Sequence, residues 1–146
     1  MTLQMNNKEQ FLEEIFHNDY LMAIILRAEY KNTGIKFFTP NDLSQQMGYM
    51  NREKGYLIKP HIHNNLPRAI NYTQETLFIK SGKLRIDFYD KNKKYLQSRI
   101  LKTGDTVLLA FGGHGFEMLE QTEIIEIKQG PFSGESDKTR FNSEKN

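Results

Sequence analysis

The sequence predicts one all-β domain with antiparallel pairing and a short amino-terminal helix. The chain has 146 residues, about the size of a single domain. From residue 20 onward, β-branched and aromatic residues gather in short runs separated by Gly, Asn, Asp and Pro, the texture of all-β chains. Two polar connections, at Ser81–Gly82 and across residues 90–94, carry hairpin chemistry and so predict antiparallel neighbours.

Between residues 7 and 18, Phe11, Leu12, Ile15 and Phe16 recur at offsets of three and four, the spacing of one helical face. Residues 1–19 are therefore read as a helical segment. Strands are expected at 20–30, 34–39, 44–51, 55–63, 72–80, 83–89, 95–102, 106–111, 115–120 and 123–128, enough for a small barrel or sandwich across residues 20–132. Alternation puts Glu75, Leu77 and Ile79 on one face of their strand. Leu84, Ile86 and Phe88 share a face of the next, with Arg85 and Asp87 opposite. Residues 133–146 form a polar tail whose one large apolar residue is Phe141, so the tail frays unless Phe141 docks it.

Composition narrows the function. With 10 Phe and 7 Tyr the chain has material for a core, which excludes wholesale disorder. A net charge of +2 is far from the dense basic character of a nucleic-acid binder, and no helix-turn-helix pattern is present. The longest strongly apolar stretch, residues 21–26, falls well short of the roughly 20 residues of a membrane helix. The first residues do not read as a secretory signal, which makes a cytoplasmic location the default expectation. With no Cys, any metal must be held by His, carboxylate or amide ligands.

The histidines are patterned. His61 and His63, two apart at the end of an expected strand, project from one face with their bases about 6.6 Å apart, so both imidazoles converge on one ion. Glu75 follows after a loop holding Pro67, Arg68 and Asn71. Farther on, Gly104 and Asp105 begin a run ending in Phe111, Gly112, Gly113 and His114, where the glycines allow a tight turn and a further imidazole. Neutral imidazoles and a carboxylate suit Zn, Fe, Ni, Mn or Cu. Arg68 is a candidate clamp for a substrate carboxylate or phosphate, and by alternation Thr73 and Lys59 are candidates to line the same cavity.

At these residues the sequence resembles the cupin superfamily, small antiparallel jelly-roll barrels. Gly55, His61, His63, Glu75 and Gly82 fit its first motif. Its second is approached by Gly104, Ala110, Gly112 and His114, with Ala110 where the family has Pro and His114 one position early. The gap between His63 and Glu75 is also longer than the family's. The wider pattern of GIKFFTP, YTQETLFIKSGKLRIDFYD, LLAFGGHGFEMLE and IKQGPF is similar to small bacterial cupins of unassigned activity, some of them encoded among surface-polysaccharide genes. The resemblance implies a jelly-roll barrel and a homodimer with strands packed across the interface, for which residues 20–30 are the candidate.

Three functions are carried forward. The first is a metal-dependent enzyme acting on a small polar substrate such as a sugar derivative. In it His61, His63, Glu75 and His114 would hold one divalent ion that polarises an oxygen or activates water for isomerisation, epimerisation or hydrolysis; the same ligands on Fe leave a dioxygenase open. The second is a metal-free ketoisomerase or epimerase of nucleotide sugars, in which His63 or His114 is the base and needs an orienting carboxylate beside it. The third is a non-catalytic sugar- or metal-binding module.

Overall fold

The computed structural model describes residues 10–143. Its first strands, β1 (Leu12–His17) and β2 (Tyr20–Leu26), form a hairpin whose turn holds Asn18 at φ 52°. Asn tolerates this left-handed conformation, so a two-residue turn closes without glycine. The helix expected over residues 7–18 is thus corrected across β1, while residues 7–9 lie outside the described part. Ile15 joins the core between the sheets and Leu12 packs on the opposite side, with a bulge between Ile15 and Phe16. A bulged strand with apolar side chains on both faces imitates the three-and-four spacing of a helix.

β3 (Gly34–Phe37) pairs with β4 (Gly48–Asn51) as a separate hairpin. The remaining strands are β5 (Glu75–Ser81), β6 (Lys83–Tyr89), β7 (Tyr95–Lys102), β8 (Thr106–Leu109), β9 (Gly113–Met118) and β10 (Glu123–Lys128). They build a five-stranded sheet in the order β1-β2-β8-β5-β10 and a three-stranded sheet in the order β7-β6-β9. All pairings among the described residues are antiparallel, and the two sheets do not close into a barrel.

The alternation expected of β5 and β6 governs the core. Leu77 and Ile79 from one sheet meet Leu84, Ile86 and Phe88 from the other, joined by Ile25, Leu101 and Val107. Burying each such side chain contributes about 1.5–3 kcal/mol. A second cluster, Ile24, Met47, Leu108 and Ala110 with Phe38 and Leu43 against it, covers the other face of the large sheet.

Two further expectations are corrected. Ser81 and Gly82 do not close a hairpin, because β5 and β6 belong to different sheets. The chain crosses there with Gly82 at φ +96°, where a Cβ would lie 2.4 Å from the Gln121 carbonyl oxygen, so glycine is required. Within the chain β2 is an interior strand of the large sheet, between β1 and β8, with Met22, Ala23, Ile24 and Ile25 buried. Residues 55–63 form no strand; every residue from 51 to 72 is exposed.

Other readings hold. The β6–β7 loop is a true hairpin, held by Asp90 Oδ1 accepting from the backbone N–H of Asn92 at 2.8 Å and of Lys94 at 2.9 Å. The tail docks through Phe141, whose ring meets Tyr89 edge-on at 5.1 Å, while Tyr89 Oη donates to Ser143 Oγ at 2.7 Å. Among the described residues no helix is long and apolar enough to cross a membrane.

Candidate functional site

Glu75 opens β5 immediately after Gln74, a buried residue that fixes the strand's entry. Gln74 Oε1 accepts from the Gln45 backbone N–H at 2.9 Å, and its carbonyl accepts from the N–H of Gln129 at 2.9 Å. The Glu75 side chain points with Leu77 and Ile79 into the space between the sheets. That side chain is only 11% exposed, so its charge needs a partner.

His114 supplies one. The chain leaves β8 and turns at Gly112, held at φ +84°, where a Cβ would come within 2.6 Å of Met22 Cε. That turn sets His114 opposite Phe88, on the inner face of β9. Its Nε2 lies 3.2 Å from Glu75 Oε2. The contact holds the Glu75 carboxyl below the ordinary carboxylate range, against burial, which pushes the other way; the positive charges of Lys138 and Lys128 add to the lowering.

Around this pair lies an open cavity of about 1410 Å³. Its wall combines polar groups with the aromatic faces of Tyr72 and Phe111, which meet edge-on at 5.7 Å. Thr73 stands at its rim and donates from Oγ1 to Asp137, which belongs to a short 3₁₀ turn at Gly134–Asp137. The stretch from Ser133 to Ser143 therefore forms part of the cavity wall.

The sequence-derived candidates divide. Glu75 and His114 come together, with Thr73 near them on the same cavity. His61 and His63 do not join them: both lie in the exposed stretch without regular structure, their rings 5.2 Å apart, with His61 Nδ1 2.9 Å from the carbonyl oxygen of Lys59. Lys59 and Arg68 lie in that same stretch, away from the cavity wall. Among the described residues no group of three or more His, Cys, Asp or Glu is placed to hold an ion.

Sequence reasoning missed Asp137 and Lys138. Their roles depend on a contact between Phe141 and Tyr89 that no local pattern encodes, although the single large apolar residue in a polar tail was the available signal.

The chain matches no family model, no curated protein and no solved structure.

Proposed function

We propose that this chain is a cupin-like jelly roll whose inter-sheet cavity binds a small polar molecule, a sugar or sugar derivative, and that His114 moves a proton on it. The observation that carries this reading is the Glu75–His114 contact. A base that works without a metal needs a carboxylate beside it to orient the ring, and Glu75 stands at that place. With Nε2 facing Glu75, Nδ1 is the nitrogen left to exchange a proton with a ligand. The His114 side chain is 29% exposed, so a ligand in the cavity can reach it.

The cavity's chemistry supports the substrate class. Thr73, Asp137 and Lys138 offer hydrogen bonds to hydroxyl groups, and Tyr72 and Phe111 offer apolar faces to a sugar ring. Proton abstraction beside a carbonyl, followed by return to a neighbouring carbon or to the opposite face, gives isomerisation or epimerisation respectively. The test is turnover of sugar phosphates and nucleotide sugars by the wild type and by His114→Gln. Turnover that depends on His114 supports the reading, and turnover indifferent to it overturns it.

A further inference from the structure

The second half of β10 is inverted for a strand that borders a core. Its pairing with β5 fixes its two faces. Ile124, Glu126 and Lys128 stand beside Ile79, Leu77 and Glu75, on the side between the sheets, while Ile125 and Ile127 stand beside Phe78 and Thr76 on the outer side. Alternation that served burial would send the isoleucines inward. Instead Ile125 and Ile127 are 49% and 62% exposed, and charged side chains take the inward positions. An apolar residue at 126 would extend the cluster of Leu77, Ile79 and Ile124. A carboxylate there breaks the local pattern, and such breaks belong to functional sites.

The other carboxylates of the cavity wall are already engaged. Glu75 faces His114 Nε2, and Asp137 accepts from Thr73 Oγ1. Asp87 and Glu117 hold Arg85, and Asp90 accepts from backbone N–H groups of its own loop. Among the described residues, the Glu126 carboxylate is the one on that wall with no hydrogen-bond or ion-pair partner.

Its position sets the geometry. His114 projects from β9 in the three-stranded sheet and Glu126 from β10 in the five-stranded sheet, and the two line the same cavity. Facing sheets stand about 10 Å apart, so a sugar ring lying between them meets His114 on one face and Glu126 on the other. Phe116, next after His114 on the inner face of β9, is still 36% exposed, which leaves room at that level.

We propose that Glu126 is a catalytic residue of this cavity, its second proton-transfer group, and that with His114 it inverts a carbon beside a carbonyl. The inference rests on the proposed function and selects epimerisation within it. Two groups on opposite faces invert a centre, whereas one group returns the proton to the face it left. In one direction His114 Nδ1 takes the carbon-bound proton, the C–H electron pair forms the C=C bond of an enolate, and the carbonyl π pair moves onto oxygen. Glu126, entering as the carboxylic acid, gives its proton to the opposite face of that carbon as the carbonyl re-forms, and ends as the carboxylate. The reverse direction starts with the Glu126 carboxylate as base and the His114 imidazolium, beside Glu75, as acid. Each turnover carries one proton between the two groups, and exchange with water resets them.

Nuclear magnetic resonance in heavy water separates exchange from inversion. Sugar phosphates and nucleotide sugars are the probes, and the wild type is expected to form an epimer carrying deuterium at the inverted carbon. Glu126→Gln is expected to lower inversion at least about a hundredfold while His114 still exchanges the proton on its own face. Retained exchange also shows that the variant is folded, as expected for an exposed side chain. Inversion that survives Glu126→Gln, or exchange and inversion lost in equal measure, overturns the proposal. Wild-type exchange that needs His114 but never inverts the carbon overturns it as well, and leaves the His114 reading standing. Absence of any exchange overturns both.

Discussion

His114 Nε2 on β9 lies 3.2 Å from Glu75 Oε2 on β5, and the contact bridges the two facing sheets. A polar pair between sheets can serve stability, chemistry or both, and conservative replacement separates these roles. Glu75→Gln and His114→Gln keep the volume and a hydrogen-bonding end. Their unfolding free energies should fall by about 1 kcal/mol or less, because the His114 end of the pair is open to solvent. Turnover should fall by roughly 10²–10⁴-fold, the contribution of a positioned acid–base group. Urea unfolding and turnover measured on the same preparations check this, and a large stability loss with proportionate activity loss would make the pair structural.

The same pair has a pH signature. The Glu75 carboxyl titrates below its ordinary value of 4.5, first because of His114 and secondarily because of Lys138 and Lys128. A carboxyl with a depressed folded-state pKa stabilises the fold above its unfolded value, and loses that contribution as pH falls through the folded one. The stability gap between wild type and Glu75→Gln should therefore be full near about pH 6 and shrink towards about pH 3. Urea midpoints across that window test it; a gap that widens in acid contradicts the assigned direction.

Asp105 begins the run that ends at His114, and its surroundings are structural. It is fully buried, and accepts from Arg27 Nη1, from the backbone N–H of Ala28 and from that of Lys102, each at 3.0 Å. Asp105→Ala leaves these donors without their acceptor, and should destabilise the fold by about 3 kcal/mol. Chemical denaturation reads the loss directly. Activity measured well below the unfolding transition should change little, because Asp105 does not face the cavity.

Phe141 fastens the carboxy-terminal stretch across the cavity wall. Phe141→Ala removes the edge-on contact with Tyr89 and should cost about 1–2 kcal/mol, less than truncation in a closed core. The larger effect should be on ligand binding, since Asp137 and Lys138 would lose their fixed place on the cavity wall. A roughly tenfold weaker Kd by calorimetry is expected, equivalent to about 1.4 kcal/mol. Unchanged affinity would show that the tail is not part of the site.

These elements show what the sequence made legible. β6 (Lys83–Tyr89), β7 (Tyr95–Lys102) and β10 (Glu123–Lys128) occupy the expected ranges, because period-two alternation and the Asp90 turn are local signals. β1 was hidden by its bulge. Gly82 between two apolar runs reads alike whether the chain doubles back or passes to another sheet, since partner choice is nonlocal. Glu75 was found through the parity of its strand, and His114 through the glycine turn before it. The placement of His61 and His63 was not, for residues 55–63 have strand composition but no ladder within the single chain.

The central claim, that His114 exchanges a proton with a sugar-like ligand in the inter-sheet cavity, is tested most directly by deuterium incorporation. Nuclear magnetic resonance would follow the carbon-bound protons of sugar phosphates and nucleotide sugars incubated with the protein in heavy water. The account predicts exchange at one carbon beside a carbonyl in one of these substrate classes, lost at least about a hundredfold in His114→Gln. Exchange that survives His114→Gln, or exchange in none of these sugars, would contradict it.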